Sequence, residues 1–320
     1  MNRREFVTSM AALPLAARIA RAQQSTAARD YPIAPVSQMN VEVTDSFWSP
    51  RIEAARTVSL PLLLDDSDKH NYQDTRIIEG AYYFLAQHPD AALKERIDSK
   101  LDSCIEQVRR FKGKWPAEAD GSTIAGGDFI LAAIAHHQTT GSRKMLDVAL
   151  EISDDMNSFF GPDKKHPISN HECIEMALTR LYLATGNEKC LRLAKFFVDE
   201  RGNWKRSGRA SYGSYAQDHV PVKEQTRAIG HCVRATYLYM GVTEVAAFAP
   251  DSGYAEAIER IWQDAVSKRT YLTGGIGSYR HHENYGDDYD LPNLNCWNEV
   301  CAACGTVWWN HRLFLMTGDS

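Results

Sequence analysis

Apolar residues recur with the period of an α-helix along most of the chain. Four stretches follow the spacing i, i+3, i+4, i+7, which places one apolar stripe on an amphipathic helix. They are residues 145–152, 174–181, 190–197 and 254–261. Alternating patterns typical of strands are few and short, and residues 41–45 are an example. The pattern therefore predicts an all-α protein.

Part of this helical pattern is repeated. Residues 136–152 resemble residues 181–197, and each stretch predicts a helix, a Thr-Gly turn and a second helix. Gly141 and Gly186 suit the left-handed conformation that closes a helix. Further turns are predicted at Pro89, near Pro250 and Asp251, and at Gly318. A single hairpin cannot bury its own stripe, so we expect the hairpins to pack side by side.

Three long segments between the helices favour a ring of hairpins over an open solenoid. They are residues 158–172, 201–226 and 268–298, and all are rich in Gly, His, Asn and aromatic residues. Long loops in compact domains usually carry function, and in a ring they would meet at one mouth. The sequence contains about five hairpin turns, one fewer than a ring of six hairpins needs. Because the sequence ends at Ser320, just after a turn, we expect a truncated domain.

The first residues predict an export signal. Arg3 and Arg4 form a twin-arginine pair, a short apolar run covers residues 7–17, and Ala20-Arg21-Ala22 supplies a small-x-small cleavage site. This arrangement is typical of twin-arginine signals. We expect residues 1–22 to be removed and residues 23–320 to be periplasmic or secreted. The alternative is an amphipathic N-terminal helix.

Charge and cysteine content narrow the class of protein. A net charge of -5 and a pI near 6.1 give no indication of nucleic acid or an anionic membrane as a partner. An odd count of 7 cysteines does not suit a fully paired disulfide framework. Cys173, Cys190 and Cys232 fall on apolar stripes and are predicted to be buried.

Cys296, Cys301 and Cys304 lie in a segment dense in candidate chemistry, residues 273–312. Glu299 and Cys301 can serve as half of a zinc site, since both are acceptable zinc ligands. Side chains two apart do not share a helix face, so the pair converges only if a helix begins there. Cys304 shares a face with Cys301 and is a rival ligand. The alternative is that both are core cysteines.

Glu283, in the same segment, is a candidate general acid. Such a group needs a raised pKa beside apolar or aromatic walls, which Tyr279 and Tyr285 are placed to supply. The alternative is a solvated loop glutamate.

Three histidines lie near predicted loop–helix junctions, namely His171, His219 and His231. Their side chains suit hydrogen bonds to sugar hydroxyls, although a lone histidine is more often a packed or solvent-exposed residue.

Long strings of this sequence together resemble glycoside hydrolase family 127, whose best-known activity is on β-L-arabinofuranosides. They span residues 45–319 in order and are DSFWSPR, HECIEMALTRLYLATGNEKCLRLAKFFVDERG, YAQDHVPVKEQTRAIGHCVRATYLY, YLTGGIGS and NEVCAACGTVWWNHRLFLMTGD. The resemblance implies an (α/α)6 barrel followed by β-sandwich domains, and a glycan or oligosaccharide substrate.

The resemblance also implies a retaining mechanism with a zinc-bound cysteine as nucleophile. Glu299 and Cys301 match the family's Glu-x-Cys ligand pair, and two later cysteines, including the nucleophile, are expected beyond Ser320. This chain alone is therefore expected to be inactive. Cys304 has no usual counterpart and is not counted as a ligand. Glu283 matches the general acid/base that follows the GGIGS string.

For the sugar pocket, the resemblance assigns His171 and His231, and His219 through a shared motif. One departure concerns Asp128, which stands where the family has a histidine opening a helix, here predicted to begin at Gly127-Asp128. Another furanoside or a modified pentose therefore stays open as the substrate. The alternatives to a hydrolase are a sugar epimerase or polysaccharide lyase on the same ring, and an inactive carbohydrate-binding fragment.

Overall fold

Helices are the only regular secondary structure that the computed structural model shows in the residues it describes. It describes residues 31–37, 40–70, 75–115, 119–166, 168–169, 171–249 and 252–319. Within these ranges the only β-pairing is in isolated bridges, so the predicted all-α class is confirmed. The strand considered at residues 41–45 is wrong, because that segment pairs with no described strand. The predicted signal, residues 1–22, lies outside the described residues.

The helices follow one another with short turns or long loops. In the described ranges they are α1 (Trp48–Ala54), α2 (Leu60–His70), α3 (Thr75–Gln87), α4 (Ala91–Asp98), α5 (Leu101–Arg109), α6 (Ala119–Thr140), α7 (Lys144–Phe159), α8 (Ile174–Thr185), α9 (Glu188–Glu200), α10 (Trp204–Ser207), α11 (Cys232–Phe248), α12 (Tyr254–Lys268) and α13 (Val300–Thr317). A π-helical turn, Ala55–Ser59, joins α1 to α2.

The helices form hairpins that pack in series, as the repeat predicted. α3 pairs with α4, α6 with α7, α8 with α9, and α11 with α12. The first helices of the hairpins also pack on one another in the order α3, α6, α8, α11 and α13. Gly141 and Gly186 close their helices with φ values of 72° and 72°. The turn predicted near Pro250 and Asp251 falls on residues that are not described.

The apolar stripes form the core between these helices. On α9, Cys190, Leu193, Ala194 and Phe197 are all buried. α8 is buried on nearly every side, because α6, α9 and α11 surround it. Burial of Cys173, Cys190 and Cys232 confirms their predicted place in the core.

The predicted start of α6 at Gly127-Asp128 is wrong, because this helix begins at Ala119. A Cβ atom on Gly127 would lie 2.9 Å from the Sγ of Cys173, and one on Gly126 would lie 2.6 Å from the Cε of Met156. These glycines lie inside α6, where their small size allows Met156 and Cys173 of neighbouring segments to approach the helix closely. They do not mark its end.

The first helices of the hairpins share a cavity of about 790 Å³ on their common side. Its lining includes Arg76, Glu79, Asp128, Arg180, Tyr237 and Trp308. Beside it, the buried Glu244 pairs with Arg180 at 3.2 Å and with Arg312 at 3.0 Å. This network joins α8, α11 and α13 through charge. Within the described ranges, no helix has the length and apolar character needed to cross a membrane.

We expect Gly241→Ala to destabilise the fold by about 1–3 kcal/mol. The new Cβ on α11 would lie 2.8 Å from the Cβ of Glu175 and 3.1 Å from the backbone nitrogen of Met176. Gly80→Ala on α3 is the matched control, since nothing lies within 4 Å of its Cβ position. It should stabilise by up to about 1 kcal/mol. Urea denaturation measures both, and equal effects would contradict the close α8–α11 contact.

Candidate functional site

The three long loops come together in one region, called the mouth below, while the closed ring of hairpins stays a prediction. Each connects the end of one hairpin to the start of the next. The backbone N–H of Tyr285 donates to the carbonyl of Gly230 at 3.0 Å, and that of His231 donates to Tyr215 at 3.0 Å. The first bond fixes the loop before α13 to the connection between α9 and α11, and the second closes that connection on itself.

His231 and Glu283 form the centre of this mouth. His231 caps α11, and its Nδ1 accepts the backbone N–H of Arg234 at 3.3 Å. Burial lowers the pKa of His231, so the ring is neutral near pH 7 and carries its proton on Nε2. Nε2 therefore donates to the Glu283 Oε2 at 2.7 Å. The capping contact of His231 with α11 thus fixes the tautomer whose Nε2–H group holds the Glu283 carboxylate.

Glu283 is presented by a strained turn. Tyr279 and Asn284 exchange two backbone hydrogen bonds, each of 3.1 Å, and close a short loop around residues 280–283. Within it His282 and Glu283 have φ values of 61° and 56°. Such left-handed conformations of residues with a Cβ are costly and cluster at functional sites.

Glu299 completes a cluster of three. The ligand atoms of His231, Glu283 and Glu299 lie within 4.8 Å of one another, so the three side chains can approach a single ion or substrate. Glu299 is the N-cap residue of α13, but its side chain makes no capping hydrogen bond. Instead its Oε2 accepts from the Nε1 of Trp297 at 2.9 Å, which orients the carboxylate.

A glycine turn sets the position of Glu299. The carbonyl of Gly277 accepts the backbone N–H groups of Trp297 and Asn298 at 3.1 and 2.9 Å. A Cβ on Gly275 would lie only 1.8 Å from the Oδ1 of Asn298. The glycines of the GGIGS string therefore allow the two ends of this loop to touch.

Cys301 lies beside Glu299 at the start of α13, where the spacing predicted convergence. Burial and the neighbouring Glu299 carboxylate raise the pKa of the Cys301 thiol. Cys301 and Cys304 are both exposed, so the alternative of two core cysteines is wrong for this chain. Metal binding by Glu299 and Cys301 stays a prediction.

His171 extends the site toward the cavity. Its Nδ1 donates to the carbonyl of Glu172 at 2.9 Å, and burial lowers its pKa to about 4. The ring is therefore neutral, and its Nε2 is an acceptor. It lies 6.5 Å from the His231 ring and 5.9 Å from the ring of the cavity-lining Tyr237, between ring centroids.

His219 follows the buried Asp218, and its Nδ1 is buried without a hydrogen-bond partner in the part of the chain that the structure describes. Its assignment to the sugar pocket stays a prediction.

Sequence reasoning missed several residues of the site. Tyr215 packs its ring 5.4 Å from His231 and 5.7 Å from His282, while Trp297 orients Glu299. Tyr215 and Trp297 lie in or beside the strings that carry the family resemblance, and this position was the sequence signal that could have identified them. Their contacts bridge distant parts of the chain or depend on loop geometry, which periodicity does not reveal.

The largest omission is Arg201, a fully buried arginine that joins two loops. Its Nη atoms lie 3.1 Å from a carboxylate oxygen of Glu172 and 3.1 Å from one of Glu175. They also donate to the carbonyls of Ser169 at 3.0 Å and Ala216 at 3.3 Å. Arg201 thus ties the segment that carries His171 to the loop that carries Tyr215.

Comparison with known proteins places this site in a family context. The family model described as β-L-arabinofuranosidase, GH127 catalytic domain, matches residues 70–320. A curated relative, the non-reducing end β-L-arabinofuranosidase of Bifidobacterium longum subsp. longum, is 33% identical over 277 residues. That match covers 76% of this chain and 41% of the relative.

Two solved structures are also similar. The GH127 β-arabinofuranosidase BT3674 has a TM-score of 0.82 and 38% identity, covering 91% of this chain and 52% of that one. Ara127N-Se, a GH127 β-L-arabinofuranosidase from Geobacillus stearothermophilus T6, has a TM-score of 0.74 and 26% identity, covering 88% and 53%. The chain therefore spans about half the length of these solved structures, and less than half of the curated relative.

Arg201→Met should destabilise the fold by about 3–5 kcal/mol, because the buried Glu175 carboxylate loses its charge partner, and above pH 8 that of Glu172 does too. Combining it with Glu172→Gln and Glu175→Gln should recover most of that loss, since no buried charge then remains unpaired. Urea denaturation measures both variants. A loss below about 1 kcal/mol in the single variant would show that Arg201 does not hold these loops.

Glu172→Gln should flatten the pH dependence of stability. Burial raises the pKa of Glu172 to about 8 from an ordinary 4.5, so the folded protein binds a proton that the unfolded chain releases. The resulting stabilisation is complete below pH 4.5 and is lost as the pH rises toward 8. The melting temperature of the wild type should fall across this window relative to Glu172→Gln. Glu188→Gln, at an exposed position on α9, should keep the wild-type profile; parallel profiles for Glu172→Gln and wild type would contradict the assignment.

Proposed function

The chain belongs to the glycoside hydrolase family 127 β-L-arabinofuranosidase family, and from this premise we propose that it forms the catalytic part of a glycosidase acting on β-L-arabinofuranosides. The observation that carries the proposal is the convergence of His231, Glu283 and Glu299, whose ligand atoms lie within 4.8 Å of one another at the mouth. Glycosidic cleavage requires a positioned carboxyl group that protonates the departing oxygen, and this cluster holds one beside a second carboxylate that can bind a metal.

Glu283 is the proposed general acid and base. In the first step its carboxyl proton passes to the departing glycosidic oxygen as the nucleophile displaces that oxygen from the anomeric carbon. In the second step its carboxylate takes a proton from the water that displaces the nucleophile in turn. His231 stays neutral and donates from Nε2 to the Oε2 of Glu283, 2.7 Å away. The imidazole thereby holds the carboxyl group in one orientation through both steps.

The two neutral histidines suit a sugar with adjacent hydroxyl groups. His171 offers an acceptor at Nε2, because its Nδ1 is already bonded to the carbonyl of Glu172. His231 offers a donor at Nε2. One hydroxyl donates to the first ring while its neighbour accepts from the second, which is a complementary arrangement for a polyol. We assign His219 to the same pocket through its shared motif.

The donor set also fits zinc. Glu299 and Cys301 adjoin at the start of α13, and the Glu299 carboxylate is oriented by Trp297, as metal-binding carboxylates usually are by a hydrogen-bonded neighbour. A bound zinc ion would keep its cysteine ligands deprotonated and nucleophilic. We propose a retaining mechanism whose cysteine nucleophile, with one further cysteine ligand, is supplied later than Ser320. Export through the twin-arginine route would deliver the folded protein to the periplasm or beyond.

Replacing Glu283 by Gln tests the proposal. On the protein encoded by the complete gene, Glu283→Gln should lower kcat/KM for β-L-arabinofuranosides by about 10²–10⁴-fold. The loss should be smaller for substrates with acidic leaving groups, which need little protonation. Glu256→Gln, at an exposed position on α12, is the matched control and should leave activity unchanged. Full activity of Glu283→Gln on a poor leaving group would rule out this assignment.

A further inference from the structure

We propose that the cavity between the first helices of the hairpins contains an anion-binding site, in which Arg180, Arg312 and Tyr83 bind the carboxylate of an acidic sugar. All three residues line this cavity. The site is separate from the acid cluster at the mouth, since none of the three residues of that cluster lines the cavity. The inference therefore does not depend on the proposed reaction.

Two arginines share one buried carboxylate beside this cavity. Arg180 on α8 and Arg312 on α13 place their Nε atoms 3.2 and 3.0 Å from the same oxygen, Oε1 of Glu244. The Glu244 side chain is 1% exposed, whereas those of Arg180 and Arg312 are 21% and 18% exposed and line the cavity. Two positive charges thus meet one negative charge, which leaves one positive charge in excess on the cavity side.

The Nη groups of both arginines remain available to a ligand. Within the described part of the chain, the contact of Nε with Glu244 is the only hydrogen bond or ion pair that either guanidinium makes. A guanidinium presents its remaining N–H groups in a planar fork that matches the two oxygens of a carboxylate. A carboxylate in the cavity would therefore accept charge-assisted hydrogen bonds and balance the excess charge.

Tyr83 on α3 adds a third donor to the same cavity. Burial and the neighbouring Glu79 raise the pKa of the Tyr83 hydroxyl, while Arg180 and Arg312 oppose this rise. The hydroxyl therefore keeps its proton near pH 7, and it lies close enough to both arginines to donate to the same anion. Glu79 lines the cavity as well, but burial raises the pKa of its carboxyl group, which disfavours it as the source of the missing negative charge.

The rest of the lining suits a sugar ring better than a bare ion. The rings of Tyr237 and Trp308 have centroids 6.5 Å apart and offer apolar faces on which the C–H face of a sugar packs. Gln138 supplies amide donors and an acceptor for hydroxyl groups. The volume of about 790 Å³ lies within the range of small-molecule sites, about 300–1,000 Å³. Arg76 and Asp128, 3.8 Å apart, offset each other's charge, so the excess stays with the arginine pair.

Calorimetric titration of the 320-residue chain tests the inference without any activity assay. We expect D-glucuronate or D-galacturonate to bind at one site per chain, and D-glucose and inorganic sulfate to bind about tenfold more weakly or less. Arg312→Lys keeps a positive charge beside Glu244 but removes the planar fork, and it should weaken uronate binding by about tenfold. Tyr83→Phe removes one donor without changing an ion pair and should weaken binding by a similar factor of about ten. Tyr82→Phe is its matched control, because the Tyr82 hydroxyl donates to Asp98 at 2.6 Å and does not line the cavity.

The outcomes separate the anion from the sugar that carries it. If neither uronate binds, or if D-glucose binds as tightly as the uronates, the anion site is overturned. If sulfate binds as tightly as the uronates, the arginine pair holds an inorganic oxyanion and the acidic-sugar assignment is overturned. Uronate binding that is unchanged in both Arg312→Lys and Tyr83→Phe would overturn the assignment of these residues. Arg192→Lys, at an exposed position on α9, is the control for the arginine variant and should match wild type. Far-ultraviolet circular dichroism confirms that each variant is folded.

Discussion

The arrangement of the loops at the mouth depends on one buried guanidinium group, that of Arg201. Arg201 is fully buried, and a guanidinium removed from water is tolerated only when carboxylates and carbonyls surround it. Glu172, Glu175, Ser169 and Ala216 supply those groups. Because these partners belong to two separate loops and the start of α8, the loops have one arrangement that satisfies the charge. His171 precedes Glu172 in the sequence, so the contact between Arg201 and Glu172 also fixes the position of His171.

The two site histidines show how local backbone contacts decide chemistry. Both rings are buried and neutral, yet a carbonyl meets the Nδ1 of His171 and an N–H group meets the Nδ1 of His231. These contacts give the rings opposite tautomers, so one presents an acceptor and the other a donor. The difference in tautomer between the two histidines is set by the carbonyl of Glu172 and by the capping of α11, and it does not depend on a substrate or a metal.

Periodicity and turn chemistry predicted the helical hairpins, because both depend on residues close together in sequence. The turns at Gly141 and Gly186 were predicted correctly because the signal for each lies in a few consecutive residues. The start of α6 was misplaced at Gly127-Asp128, because Gly127 serves a close contact with Cys173 inside the helix that the sequence does not display.

The same distinction applies to the site. Its carboxylates and histidines were recognisable from residue type, spacing and a family resemblance, and the structure brings Glu283, His231 and Glu299 together. Arg201, Tyr215 and Trp297 escaped notice because their importance lies in tertiary contacts or loop geometry.

The position of Arg201 in the chain also bears on synthesis. Glu175 precedes Arg201 by 26 residues, and Ala216 follows it by 15. As the nascent chain leaves the ribosome, both acidic side chains emerge well before the cation that neutralises them, and the last carbonyl partner emerges later still. Until then the carboxylates must stay hydrated or protonated. The hairpins can therefore assemble in the order of translation, whereas the mouth can close only after the loop that contains Ala216 has emerged.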